Sequence, residues 1–367
     1  MKNYNYLKIA KSLLFLPKEI YYSPLHIQID VTTYCNLQCK MCYAKKIILP
    51  QENNKHLTFE QFKHIIDTIK PLSVNMAANG EPFLNPQIFD MIKYANSKKI
   101  KTITSSNFIL PKETIKKIIP AGLDILKISI DGHNEELYEK IRGKNFNLLI
   151  ENIKFLQQLV SETKDNKPQL RFDFVIMKDN YHHIVDFIYF SEKFGVKYIY
   201  FHPIDIREYD EIKKKEIVEG VEMKELEQQI LDGIKLAKKL KINTNLAAIK
   251  KHFEIMKHLY SGKDSKVKRK VCILPWMGVF INISGEISPC CAIYPYKNIS
   301  FGNIFDNDFN NVWNSEKAKL MRDEFKKLKN YDIYEACKYC LPMEVSTIIN
   351  VSKTFPEYWR NILKLKK

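Results

Sequence analysis

Three cysteines stand within the eight residues of the segment CNLQCKMC, at Cys35, Cys39 and Cys42. So close a spacing lets a single loop wrap around one side of a small metal centre. Three thiolates do not complete the ligation of a four-iron cluster, so one iron would stay open to bind and activate a small molecule. A zinc site that lacks its fourth ligand is the alternative. The motif therefore demands a fold that presents one loop to a ligand.

Short β-rich runs alternate with helical stretches from about residue 25 to 205. Segment 57–70, where Thr58 and Gln61 fit a capping box, and segment 146–160 have the apolar spacing of helices. This alternation predicts right-handed βαβ crossovers and a parallel sheet, either open and doubly wound or curved into a partial barrel. The predicted strands are 25–31, 73–78, 100–106, 125–131, 170–177 and 196–202.

Distinctive polar residues follow each predicted strand. In both sheet types the chemistry belongs at the carboxyl ends of the strands, where these residues would meet. The sequence therefore predicts one site built from six loops. The residues concerned are 35–42, 79–81, 106–107, Asp131, Asn180 and 202–205.

CNLQCKMC resembles the signature C-x3-C-x-Φ-C of the radical S-adenosylmethionine (SAM) superfamily, with Met41 in the hydrophobic position. The resemblance implies an α/β fold with a partial (β/α)6 TIM-type barrel. It also implies a [4Fe–4S] cluster whose unique iron is chelated by the amino and carboxylate groups of SAM. Reductive cleavage would give methionine and a 5′-deoxyadenosyl radical that abstracts a substrate hydrogen. The protein would orient the reactants, tune the cofactor and exclude side reactions.

The second loop, ANGEPFLNP, resembles the GGE motif of this family, with Asn79 in place of the first glycine before Gly80 and Glu81. Backbone carbonyls of this loop are expected to accept hydrogen bonds from the SAM ammonium, and Glu81 is expected to hold the loop. Taken alone, NGEP is also an ordinary turn.

Further cofactor contacts follow from the same resemblance. Asn107, Ser129 and Asp131 lie where the family places contacts to the ribose and the carboxylate of SAM. Arg142 is a candidate partner for the SAM carboxylate, because a guanidinium matches a carboxylate bidentately. Asp131 followed by glycine is also common turn chemistry, and Arg142 fits a surface position equally well.

The remaining cysteines lie near the C-terminus, in the pattern C-x12-G-x4-C followed by C-x2-C. This pattern resembles the auxiliary iron–sulfur region called SPASM, including the PW after the first cysteine and the paired PCC. Full SPASM domains carry more cysteines after the last pair, whereas none follows here, as in the shorter twitch-type domains. The ligands predicted for one auxiliary [4Fe–4S] cluster are Cys272, Cys290, Cys337 and Cys340.

Four protein ligands would leave no open iron, which favours electron transfer over substrate binding at the auxiliary cluster. A zinc ribbon with four cysteine ligands is the alternative. Cys291 is left over next to Cys290. It fits a small buried hydrophobe, the ligand in place of Cys290, or a thiol hydrogen donor.

Changes in sequence pattern along the chain predict its domain organisation. A boundary falls near 262–270, where Ser261, Gly262 and a run of charges intervene. We predict an N-terminal helical extension (1–24), the barrel (25–210), a helical connector (211–265), a small α+β auxiliary-cluster domain (266–345) and a C-terminal helical tail (346–367).

The net charge of +16 makes an anionic partner conceivable. The excess lysines are spread along the chain, however, and no basic cluster is interleaved with aromatic residues, which disfavours nucleic acid binding. The N-terminal apolar stretch stops at Pro17, too short for a signal peptide or a membrane span. We expect a cytoplasmic protein whose cysteines bind metal rather than form disulfides.

The predicted function is a radical SAM enzyme, an oxidoreductase or peptide-modifying enzyme acting on a C–H bond of a peptide or carbohydrate-like small molecule. A flavodoxin- or ferredoxin-type protein is the expected reductant. His202 and Asp205 are candidate acceptors for a proton from a substrate radical, although a histidine at a strand end is more often structural. An RNA-modifying radical SAM enzyme and a non-catalytic iron–sulfur or zinc protein are the alternatives.

Overall fold

The computed structural model describes residues 6–42, 55–77, 79–163, 167–204, 211–261, 271–291, 293, 299–327, 337 and 340. Within these ranges no helix is both long and apolar enough to cross a membrane. The predicted C-terminal tail, 346–367, lies outside them, as does Asp205.

One sheet organises the described chain, and its strands follow the spatial order β10-β9-β8-β1-β2-β3-β4-β5-β6-β7. The first six strands are parallel and each pairs with the next in the chain. Such sequential winding is that of a barrel, because a doubly wound sheet reverses direction at a switch point. All six predicted strands are present. The strands are β1 His26–Ile29, β2 Ser73–Asn75, β3 Lys101–Ser106, β4 Ile125–Ser129, β5 Gln169–Ile176, β6 Tyr198–Pro203, β7 Asn243–Thr244, β8 Gly278–Ile281, β9 Glu286–Ser288 and β10 Gly302–Asn303.

Helices connect these strands, and several of them follow β6. They are α1 Tyr6–Phe15, α2 Phe59–Ile69, α3 Ile88–Ser97, α4 Lys112–Lys116, α5 Ile118–Ala121, α6 Glu135–Arg142, α7 Phe146–Ser161, α8 Ile184–Lys193, α9 Glu211–Ile217, α10 Met223–Lys239, α11 Leu246–Lys251, α12 Phe253–Ser261, α13 Leu274–Met277, α14 Phe309–Trp313 and α15 Glu316–Lys327.

The predicted capping box begins α2. The Thr58 hydroxyl accepts from the Gln61 backbone N–H at 3.2 Å, and the Gln61 side chain accepts from the Thr58 N–H at 3.0 Å. Helix α2 then buries one apolar face, including Phe62 and Ile66, against the sheet. Two end N–H groups are thereby satisfied before the helix packs.

The two faces of the sheet differ in chemistry. One face is apolar and covered by helices, as where the rings of Phe174 and Phe187 lie 4.6 Å apart. The opposite face lines the barrel interior and is largely polar, because residues paired in register point to the same side. Its members include Gln28, Asn75, Lys127, Arg171, Asp173, Tyr200 and His202.

The C-terminal region continues the barrel sheet. Strand β8 pairs parallel with β1, placing Gly278 opposite His26, and β9 and β10 add antiparallel strands beyond it. The turn between β8 and β9 requires Gly285, whose φ is +89° and whose added Cβ would lie 2.3 Å from Phe305 Cδ2. The barrel and the second cysteine region therefore share one hydrogen-bonded sheet.

Candidate metal and cofactor site

The first cysteine loop follows β1 and is held in place by its neighbours. The Lys40 backbone N–H donates to the Ile141 carbonyl at 2.8 Å, and its ammonium donates to Asp179 Oδ2 at 2.7 Å. The Asn36 side chain donates to the Ile109 carbonyl at 2.8 Å. The loop is thus tied to segments that follow β3, β4 and β5. Its three cysteines, Cys35, Cys39 and Cys42, are all half-buried.

Two nitrogen donors predicted from the sequence lie beside these thiols. Asn107 Nδ2 is 3.8 Å from Cys35 Sγ and also donates to Asn36 Oδ1 at 2.7 Å. Arg142 Nη1 is 3.7 Å from Cys39 Sγ. Burial raises the pKa of Cys39, and the Arg142 charge opposes that rise. Donors at this range stabilise thiolates, which are the form that binds metal.

Arg142 and Asp131 form a buried ion pair behind the thiols. Arg142 Nε lies 2.7 Å from Asp131 Oδ2, yet neither atom has a well-directed hydrogen bond. The other Asp131 oxygen accepts from the Val175 N–H at 2.7 Å, and Asn180 donates to the Asp131 carbonyl at 3.0 Å. Burial alone would lower the pKa of Arg142, but the Asp131 charge raises it overall. The pair holds the Arg142 guanidinium in place beside Cys39, where its remaining N–H groups suit an anionic ligand such as a carboxylate.

The second loop lies directly against the first. The Asn79 backbone N–H donates to Asp30 Oδ1 at 3.0 Å, and its side-chain amide donates to the other Asp30 oxygen. A Cβ on Gly80 would lie 2.4 Å from the Thr32 carbonyl oxygen and 2.6 Å from that of Tyr34. Only glycine permits this approach. Asp30 is a residue that sequence reasoning missed, although its place directly after the first apolar strand was a signal.

Glu81 joins the second loop to the third. Its carboxylate accepts from the Ser106 hydroxyl at 2.8 Å, from the Asn107 N–H at 2.7 Å and from the Phe83 N–H at 3.3 Å. Burial raises the pKa of Glu81 to about 7, against the effect of these donors. A proton on this carboxyl group would remove acceptor capacity that the loop uses.

The other two predicted cofactor residues take different positions. Met41 packs into the hydrophobic core with only 8% of its surface exposed. Ser129 is half-buried at the end of β4, on the inner face and in register with Asp173. Ser129 therefore faces the barrel interior, where a bound ligand would reach it.

The C-terminal thiols are brought together from three segments separated in sequence. Burial raises the pKa of Cys290, and so do the charges of four other cysteines, Cys291, Cys337, Cys340 and Cys272. Cys340 is exposed, and the others are half-buried. Both Cys290 and Cys291 belong to this group.

The described residues bring three possible ligand atoms within 4.8 Å of one another only at His133, His183 and Asp186. In neither cysteine set, among the described residues, do three sulfur atoms all lie within 4.8 Å of one another.

A charged network occupies the barrel interior. Arg171 holds Asp173 through two contacts of 2.6 Å, and His202 Nε2 lies 3.0 Å from Asp173 Oδ2. The Arg171 guanidinium stands 4.9 Å from the ring centre of Tyr200. Despite burial, Arg171 and His202 keep the pKa of Asp173 well below its usual value. His202 thus has a carboxylate partner, which sequence reasoning missed because Arg171 and Asp173 belong to no motif.

Two family models match this chain. The Radical SAM superfamily model matches residues 29–168, and the iron–sulfur cluster-binding domain model, SPASM, matches residues 272–341. The two matches cover both cysteine sets.

Individual relatives are distant but cover most of the chain. The AdoMet-dependent heme synthase of Methanosarcina barkeri is 24% identical over 87% of this chain and 90% of its own length. The antilisterial bacteriocin subtilosin biosynthesis protein AlbA of Bacillus subtilis is 24% identical over 86% of this chain, which spans 65% of AlbA. Streptococcus suis SuiB bound to precursor peptide SuiA superposes with a TM-score of 0.66 at 18% identity, over 94% of this chain and 76% of SuiB. That likeness shows a shared fold.

Proposed function

Since this chain is a radical SAM enzyme with a C-terminal SPASM domain, we propose that it abstracts a hydrogen atom from a peptide. The bound cluster and SAM supply the 5′-deoxyadenosyl radical for that step. AlbA is named for bacteriocin biosynthesis and SuiB is solved with a precursor peptide, which together favour a peptide over a carbohydrate-like molecule. The observation that carries the proposal is the incomplete thiol set beside Asn107 and Arg142.

In this proposal Cys35, Cys39 and Cys42 hold the SAM-binding cluster. Arg142 binds the SAM carboxylate through its terminal guanidinium nitrogens, since its Nε faces Asp131. The loop of Asn79, Gly80 and Glu81 presents backbone carbonyls to the SAM ammonium, with Glu81 fixing the loop through Ser106 and Asn107. Ser129 and Asn107 complete the contacts to the cofactor, while Asp131 orients Arg142 through their 2.7 Å ion pair.

Cys272, Cys290, Cys337 and Cys340 hold one auxiliary [4Fe–4S] cluster in the same proposal. Complete protein ligation suits it to carry an electron away from the substrate rather than to bind the substrate. The match of residues 272–341 to an iron–sulfur cluster-binding domain favours a cluster over a zinc ion. His202, hydrogen-bonded to Asp173, then accepts the proton released when the substrate is oxidised, with Asp205 as the second candidate.

The proposal extends to organisation and location. The barrel, 25–210, would carry the SAM site and the region 266–345 the auxiliary cluster, joined by the connector 211–265. A cytoplasmic location would keep the eight thiols reduced for cluster assembly. A small flavodoxin- or ferredoxin-type protein would supply the electron.

Anaerobic reconstitution tests the proposal. After reduction in the presence of SAM, the protein should form 5′-deoxyadenosine, and the Cys42→Ala variant should form none. Intact clusters without this product would refute the enzyme assignment. The Cys337→Ala variant should still cleave SAM but lose turnover of a peptide substrate.

A further inference from the structure

The barrel interior carries a lysine that the proposed function does not use. Lys127 lies on β4, is half-buried, and faces inward in register with Arg171. Its ammonium takes part in no hydrogen bond or ion pair with the described residues. A lysine inside a barrel without a carboxylate partner is uncommon, because burying an unpaired charge is costly.

The groups that face Lys127 come from several elements. Arg171 and Asp173 on β5 and Cys291 after β9 influence the pKa of Lys127. Desolvation, and after it the charge of Lys127, lowers the pKa of the half-buried His26 on β1. Arg171 is already neutralised by its two 2.6 Å contacts with Asp173. Among the described residues of this group, Arg171 and protonated Lys127 thus share one carboxylate, that of Asp173, which leaves one positive charge in excess.

Lys127 also lies between the two thiol sets. On one side it is close enough to Cys291 for that thiol to influence it. On the other side, the interior network reaches the first cluster loop: His202 influences Asp131, which pairs with Arg142 beside Cys39. A molecule held at Lys127 would be within the space that separates the two proposed clusters.

We propose that Lys127, with Arg171 beside it, binds a carboxylate group of the substrate inside the barrel. The inference rests on the proposed function only in taking the barrel interior as the substrate site. One carboxylate supplies the single negative charge that the group lacks, whereas a phosphate dianion would leave an excess. For a peptide, the carboxylate would be an acidic side chain or the C-terminus.

Burial and the charge of Arg171 lower the pKa of Lys127 to about 7. An anion placed beside the ammonium would raise that pKa again, so binding would be accompanied by proton uptake. The same low pKa makes Lys127 unusually reactive toward acylating reagents near neutral pH. The rate of acylation of Lys127 can therefore report on ligand binding whether or not the enzyme turns over a substrate.

Competitive labelling tests the proposal on the protein with both clusters assembled and SAM bound. The probes are acetate and its neutral isostere acetamide, compared at constant ionic strength. Trace acetic anhydride labels the lysines, and mass spectrometry then identifies which lysines are labelled. Acetate should slow labelling of Lys127 severalfold, while acetamide should not. Exposed Lys154 on α7 is the internal control. No protection, or equal protection by acetamide, would overturn the proposal, and stronger protection by inorganic phosphate would overturn the carboxylate assignment.

Line broadening of ¹³C-labelled acetate supplies a second readout with variants. Lys127→Met should weaken acetate binding about tenfold or more, the scale of one hydrogen bond to a charged group, and Lys127→Arg should restore part of it. Lys154→Met is the matched control. Unchanged binding by a Lys127→Met variant with normal iron content would refute the site. Formation of 5′-deoxyadenosine is measured separately, so a protein that binds acetate at Lys127 but cleaves no SAM would refute only the proposed function.

Discussion

The two cysteine sets are built in opposite ways. Cys35, Cys39 and Cys42 belong to one loop, whose position is fixed by hydrogen bonds to three neighbouring segments. The C-terminal thiols come from three separate segments and meet only because β8 and β9 extend the barrel sheet. A three-cysteine site can thus be encoded by one short segment, whereas the C-terminal site depends on the tertiary fold.

The two cysteine sets also lie at opposite ends of the parallel strands. Cys35 follows the carboxyl end of β1, while β9 runs antiparallel to β8 and delivers Cys290 toward the amino end of the parallel strands. The polar barrel interior lies between them. An electron taken from a substrate held there would have one cluster on each side.

Removing one cysteine from each set should have the largest effect, and it tests whether the two sets have separate roles. Cys39→Ala should reduce SAM cleavage to the background rate, because the open cluster loses a ligand. Cys272→Ala should retain SAM cleavage. Production of 5′-deoxyadenosine, together with iron content, checks both variants. Equal loss in the two would mean that the sets act as one site.

The next largest effect concerns how the second region is attached. Arg322 is fully buried and donates to the carbonyls of Pro275 and Trp313 at 3.0 and 2.7 Å, and to that of Lys18 at 3.1 Å. Arg322→Met would leave these acceptors without a donor and should cost about 3 kcal/mol of unfolding free energy. Anaerobic denaturant unfolding measures it.

Exposed Lys317→Met, on the same helix, is the control for the Arg322 variant. The comparison of the two regions further predicts that the Arg322 variant loses auxiliary iron before it loses SAM cleavage. Simultaneous loss of both would show that the first site depends on the second region.

Sequence reasoning captured the elements whose signal is local. The six barrel strands, the α2 capping box and the spacing of the first cysteines are all read from neighbouring residues. It missed Asp30, the Arg171–Asp173 pair and buried Arg322, because their partners are distant in the chain. An inward-facing charged residue on a barrel strand has the same alternating pattern as a solvent-facing one. Strand β7, with two residues, is too short to give any pattern.

At the first site, Glu81 should make the free energy of unfolding depend on pH. Burial raises the pKa of Glu81 from 4.5 to about 7, so the stability from its protonated form is present below the unfolded value and lost as pH rises through 7. The loss should be about 3 kcal/mol. Glu81→Gln cannot titrate and should flatten this slope. Unfolding measured across that pH window checks it, and an unchanged slope in the variant would assign the dependence to another group.

The smallest expected effect concerns the contacts that hold the first cysteine loop in place. Lys40 and Lys140 both pair with Asp179, at 2.7 and 2.8 Å, but Lys40 is largely buried and Lys140 is 59% exposed. Lys40→Met should cost about 1 kcal/mol and weaken SAM binding severalfold, since the loop between Cys39 and Cys42 loses an anchor. Lys140→Met should cost roughly 0.5 kcal/mol or less, because water screens exposed pairs. SAM affinity by equilibrium dialysis separates the two variants. Equal effects would mean that the backbone contact from Lys40 to Ile141 is sufficient to hold the loop.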